Sequence, residues 1–153
     1  MNGSVRPVRR RKNGNALIEF AIAFGFLLTI FAGAFEVGYV YFVYNQLESA
    51  VHGAARFASL QTYSSTTANP RPEFSNAVKN LVVYGNPNGS GSPVVPGLTT
   101  SHVAVVVDFE RGVPERITVA IDGHQLNAIF RNLRLTMKPR ASFPYIGRYD
   151  PIG

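Results

Sequence analysis

The sequence predicts an α+β fold: a long N-terminal helix, membrane-spanning in its first half and amphipathic in its second, packs on a small antiparallel sheet. Three observations carry this expectation. Residues 14–44 read GNALIEFAIAFGFLLTIFAGAFEVGYVYFVY, without a charge between Phe20 and Phe35. Residues 45–60 continue with apolar side chains at helical period. Beyond residue 100, three short runs alternate apolar with other residues, among glycines and prolines.

The apolar run sets the organisation. At about 1.5 Å of rise per residue, the roughly 20 residues after Glu19 cross a hydrocarbon core of about 30 Å as a helix. A helix is also the single segment that satisfies its own backbone in lipid. A chain of 153 residues has little protein with which to surround such a cylinder in water. The expected division is a basic leader at 1–14, a transmembrane helix at 15–44 and a folded α+β domain at 45–153.

The net charge of +6 belongs mostly to the leader. Arg6, Arg9, Arg10, Arg11 and Lys12 precede the span without an acid, whereas residues 15–153 hold ten basic and nine acidic side chains. A basic cluster before an apolar span places the N-terminus in the cytoplasm and the remainder across the membrane. With no basic stripe interleaved with aromatics in that remainder, nucleic acid is not an expected partner. The absence of cysteine excludes disulfides and zinc–thiolate sites.

The junction between leader and span is specific. Gly14 is followed by Asn15, Ala16, Leu17, Ile18 and then Glu19, whose carboxylate would cost roughly 2.5–3.5 kcal/mol at the bilayer centre and so calls for a partner. This arrangement resembles the processing site of type IV pilin-like precursors, which a prepilin peptidase cuts after the glycine. The resemblance implies a cut between Gly14 and Asn15. The new α-amine on Asn15 would then lie four positions from Glu19, within pairing reach on one helix or between neighbours, and the helix dipole favours an anion there. Two other readings stay open: an uncleaved signal anchor, and cleavage after Ala32-Gly33-Ala34, which would release a soluble chain beginning at Phe35.

Within the span, Ala21, Gly25, Thr29 and Gly33 recur at every fourth position, a seam of the kind that lets membrane helices approach closely. Past Tyr44, Leu47, Ala50, Val51, Ala54 and Ala58 form an apolar face, with Glu48, Ser49, His52, Arg56 and Ser59 on the polar side. The run Glu36-Val37-Gly38-Tyr39, then Leu47, Ala50 and Ala54-Ala55-Arg56-Phe57-Ala58, resembles the N-terminal region of the TadE-like pseudopilins. Glu36, Gly38, Ala54 and Arg56 carry the motif. Val37 replaces the family's aromatic, Tyr39 its arginine and Ala54 its second glycine, with Gly53 one place early. The likeness covers about residues 14–59.

That resemblance implies a pilin-like fold and a minor pilin or pseudopilin in assembly of a tight-adherence pilus. The partners it implies are other pilin or pseudopilin subunits, the prepilin peptidase and the bacterial inner membrane, with the folded domain in the periplasm. The alternative is an uncleaved single-span envelope protein presenting a periplasmic domain to a ligand or partner.

In that domain, residues 61–71 read as a polar turn and 72–84 as a short amphipathic helix, opening on Pro72 and Glu73. Residues 85–101 are glycine- and proline-rich, hence a loop. Val103, Val105, Val107 and Phe109 form the first strand signal, Ile117, Val119 and Ile121 the second, Leu133, Leu135 and Met137 the third. Residues 110–115 connect the first two as a hairpin, and residues 125–132, with Leu126, Ile129, Phe130 and Leu133 at helical spacing, predict one or two helical turns. The amphipathic half of the long helix and the 72–84 helix should cover the sheet. The aromatic tail at 142–153 receives no assignment.

Chemistry is sparse. His52, His102 and His124 form no metal motif by spacing. Asp108 and Glu110 share a strand face and Asp122 lies near the end of the next, a pattern read as solvated charge rather than an acid–base pair. There is no nucleophile elbow, phosphate-binding loop or dinucleotide fingerprint. No enzyme activity, metal or cofactor is expected.

Overall fold

The computed structural model describes residues 13–127 and 132–151. Most of the expected leader lies outside this range, as do Ile129 and Phe130 of the expected helical turns. The chain divides into two compact units, Met1–Val37 and Gly38–Gly153.

The described part of the first unit is helical throughout. It belongs to α1 (Asn13–Leu60), which is long and apolar enough to cross a membrane. Leu17, Ile18, Phe20, Ile22, Phe26, Phe31 and Phe35 are all more than 60% exposed, a surface that water does not tolerate on this scale. Phe20 and Phe24, one turn apart, stack at 5.8 Å.

The second unit is α+β, as the sequence predicts. From Gly38 to Leu60 it contains the amphipathic part of α1, followed by α2 (Pro72–Tyr84), a 3₁₀ turn (Thr100–His102), β1 (Val103–Glu110), β2 (Val113–Ile121), β3 (Gln125–Asn127), β4 (Asn132–Arg134) and β5 (Arg140–Pro144). The bounds of α2 follow from local chemistry. Pro72 has no N–H to leave unsatisfied, Glu73 meets the positive end of the dipole, and Gly85 closes the helix in the left-handed region (φ 68°), its N–H donating to the Leu81 carbonyl at 3.0 Å.

The main sheet has the order β1-β2-β5, antiparallel throughout. Its first hairpin turns tightly on Arg111 and Gly112, both at positive φ (53° and 81°), as a two-residue loop with matching twist requires. The register slips between Asp108 and Phe109, so that Phe109 faces Pro114 while Asp108 faces Arg116. A proline inside a strand is accommodated at such a bulge.

Two expectations fail here. The third strand of the sheet is Arg140–Pro144, which runs into the tail left unassigned, and not the 133–137 run. Met137 takes a left-handed φ of 52°, which breaks the alternation after Leu135. Residues 125–127 are strand rather than helix: β3 and β4 form a separate ribbon that sets Leu126 opposite Leu133. The helical spacing of those leucines arises from two strands meeting across a short connection.

The core is one cluster. Leu47, Val51, Ala54, Ala55 and Ala58 of α1 meet Val78, Val82 and Val83 of α2 and the inner faces of the sheet, where Val107, Ile117, Val119 and Ile121 are buried. Each fully buried valine, leucine or isoleucine contributes about 1.5–3 kcal/mol. The sheet runs along the helix: Ile146 donates its N–H to the Ser59 carbonyl at 3.0 Å, next to the Pro144 end of β5, and His52 meets Phe143 edge-on at 6.1 Å. Ser59, expected on the polar side, is buried (3% exposed) because this tail crosses over it; its Oγ donates to the Arg56 carbonyl at 2.8 Å. Beyond Ile146, the Tyr63 N–H donates to the Arg148 carbonyl and the Asp150 N–H to the Tyr63 carbonyl, both at 2.9 Å. Tyr63, 1% exposed, is ringed by Phe74, Phe109, Tyr145 and Tyr149.

Candidate functional site

The predicted site residues fall into two sets, one in each unit. In the first, Gly14, Asn15 and Glu19 lie within helical α1 and are exposed, so the peptide bond after Gly14 is open to solvent or lipid. Four residues separate Asn15 from Glu19, and both belong to the opening turns of the helix. Ala21, Gly25 and Thr29 are exposed and Gly33 is half-buried. A side-chain carbon added at Gly25 or Gly33 would meet nothing within 4 Å, so this seam is open for another helix to approach. Thr29 donates its hydroxyl to the Gly25 carbonyl at 2.9 Å, which satisfies the only polar side-chain group of the seam within its own helix. Glu36, of the motif, is half-buried.

In the second unit, Gly38 and Arg56 are exposed, while Ala54 is fully buried. Its methyl group fills the position where α1 approaches α2 and the sheet, a packing role that needs a small side chain. Beside it, Ala50, Gly53 and Ala54 of α1, with Leu81 of α2 and Val94, line an open groove of about 520 Å³.

No local pattern pointed to a meeting of two histidines. His102 ends the 3₁₀ turn and His124 precedes β3, yet their ring centroids are 5.2 Å apart. The pairing Val103↔Ile121 brings them together, since it aligns the start of β1 with the end of β2. His102 Nδ1 accepts the Thr99 N–H at 3.3 Å. His124 is 2% exposed and its Nε2 has no hydrogen-bond partner among the described residues. Burial, and then the neighbouring His102, hold His124 below its ordinary imidazole pKa. It borders a cavity of about 100 Å³ lined also by Tyr39, Val40, Val43 and Gln125.

The carboxylates are not gathered. Asp108 faces Arg116 near the hairpin, while Asp122 follows Ile121 at the opposite end of the ladder, and all three of Asp108, Glu110 and Asp122 are exposed. Among the described residues no three of His, Asp and Glu converge on a common point.

No curated protein and no solved structure matches the chain. A family model does, over the segment that holds Gly14, Glu19, the small-residue seam and the motif from Glu36 to Arg56. Residues 14–56, somewhat over a quarter of the chain, match the family described as TadE-like protein, so this segment is similar to that family.

Proposed function

We propose that this protein is a minor pilin or pseudopilin that takes part in assembly of a tight-adherence pilus. In this reading a prepilin peptidase cuts between Gly14 and Asn15, and α1 then holds the protein in the bacterial inner membrane with the second unit in the periplasm. The observation that carries the proposal is the coincidence, within residues 14–56, of the family match with an exposed apolar helix that opens on glycine and, five residues later, a glutamate.

The chemistry of assembly follows from those residues. A freshly cut chain presents an ammonium at Asn15, and the Glu19 carboxylate neutralises it in its own helix or in a neighbour, which removes the cost of carrying either charge into lipid alone. The seam from Ala21 to Gly33 lets helices of like subunits approach closely, where dispersion and short Cα–H···O contacts hold them. No step in this role breaks or forms a bond in a substrate, so the protein acts as a subunit rather than an enzyme.

Mass spectrometry of the protein purified from its native membrane tests the reading. A chain beginning at Asn15 supports it. A chain retaining Met1 favours the uncleaved single-span alternative, and one beginning at Phe35 and found in the soluble fraction overturns both.

A further inference from the structure

The charge of the second unit is polarised along the sheet. From Arg134 to Tyr149 the sequence holds Arg134, Lys138, Arg140 and Arg148 and no acid. Arg148 is paired with Asp150 at 3.1 Å, but the other three are exposed and make no ion pair among the described residues. Register places all three at one end. Arg134 pairs with Gln125, Arg140 with Ala120, and the Lys138 N–H donates to the Ile121 carbonyl at 3.0 Å. The other end, by the hairpin, holds three acids, Asp108, Glu110 and Glu115, with two arginines, Arg111 and Arg116, and so has no excess of cations. Asp150 is taken up by Arg148, and Asp122, which follows Ile121 at this end of the ladder, cannot neutralise all three cations.

The cationic end is the end at which the chain passes into its apolar segment. Gln125 borders the cavity that Tyr39, Val40 and Val43 line, and Tyr39 follows Gly38, the first residue of the unit. Tyr39, Tyr41 and Phe42 are 46%, 67% and 59% exposed, an aromatic group of the type that settles at the headgroup level of a bilayer. Leu133 and Met137, interspersed with the cations, are 42% and 38% exposed. Cations with long aliphatic stems beside exposed apolar side chains and an aromatic belt make a surface suited to a headgroup layer, where stems and apolar groups sink while charges stay at the phosphates.

We propose that Arg134, Lys138 and Arg140, with Leu133 and Met137, dock on anionic phospholipid headgroups of the membrane that α1 enters. The proposal rests on α1 spanning a membrane. Docking fixes the tilt of the second unit over the bilayer and keeps it down until extraction or a competing acidic surface lifts it.

The chain has no cysteine, so single cysteines report position cleanly. Spin labels are placed by Leu133→Cys, Phe24→Cys and Val113→Cys in separate full-length proteins reconstituted into vesicles of phosphatidylcholine alone or with about 30 mol% phosphatidylglycerol, and their access to lipid-soluble oxygen and to an aqueous nickel chelate is measured. The label at 133 should move into lipid in the anionic vesicles alone, with its docked-to-free ratio falling on the order of tenfold or more in the Arg134→Gln/Lys138→Gln/Arg140→Gln variant. About 0.5 M salt should release it without any substitution, so the test does not depend on how the variant folds. The label at 113 should stay aqueous throughout. A label at 133 that is aqueous in both vesicles while the label at 24 is in lipid overturns the docking proposal, including where an acidic polypeptide proves to be the true partner. A label at 24 that is aqueous overturns the spanning reading itself.

Discussion

The imidazole of His124 stands beside that of His102, with ring centroids 5.2 Å apart and planes inclined at 59°, and its buried Nε2 has no partner among the described residues. Tyr39 and Gln125 share its cavity; Asp122 and Arg134 are the charged groups on the adjoining segments. None of these hydrogen-bonds its Nε2, so a proton there would be buried beside a second imidazole. The folded state therefore resists protonation, and the unfolded chain takes the proton first. Full stability is present above about pH 6.5 and is lost as pH falls from there through the depressed folded value, by up to about 1.4 kcal/mol per pH unit. Thermal unfolding in detergent should show a lower Tm at about pH 5.5 than at about pH 7.5. His124→Leu should flatten that difference; an unchanged pH dependence in this variant would refute the assignment.

Gly147 lies against the Gln61 carbonyl so closely that a methyl group there overlaps it, and the same methyl comes within 2.9 Å of the Tyr145 ring. Gly147→Ala should destabilise the second unit by about 1–3 kcal/mol, through displacement of the tail from Ser59 and Tyr63. The contrast is Gly53→Ala on α1, where an added carbon meets nothing within 4 Å. That change should be neutral or stabilising by up to about 1 kcal/mol. Denaturant titration followed by tyrosine fluorescence measures both.

Replacing both Gly25 and Gly33 with Leu should abolish self-association of the full chain in a membrane two-hybrid assay. Each added side chain widens the seam where close approach is needed. Neither glycine has a neighbour within 4 Å to disturb, so unfolding of the second unit should be unaffected.

Gly14→Arg should leave the chain at its full precursor mass in a strain with an active prepilin peptidase, because the bond after Gly14 would be flanked by a long cationic side chain in place of a hydrogen. Maturation of this variant at the normal rate would count against the pilin-like reading.

The sequence by itself determined the apolar segment long enough to cross a membrane, the long helix and its apolar face, α2 with its proline start and glycine stop, and the first two strands. Each of these is written in a local period or a local cap. The segment that matches the TadE-like family was legible for the same reason: Gly14, Glu19, Glu36 and Arg56 all fall within α1, where a local interval in sequence fixes a helix face. What only the tertiary structure decided depends on residues far apart in the chain. Arg140–Pro144 has two apolar side chains before its proline and becomes a strand because β2 offers a free edge. Leu126 and Leu133 carry a helical interval but face one another across a ribbon. The meeting of His102 with His124, and the grouping of Arg134, Lys138 and Arg140 at the Tyr39 end, follow from strand register. Alternation and turn geometry set the register of a hairpin, but which distant segments it brings together shows only once the strands are paired.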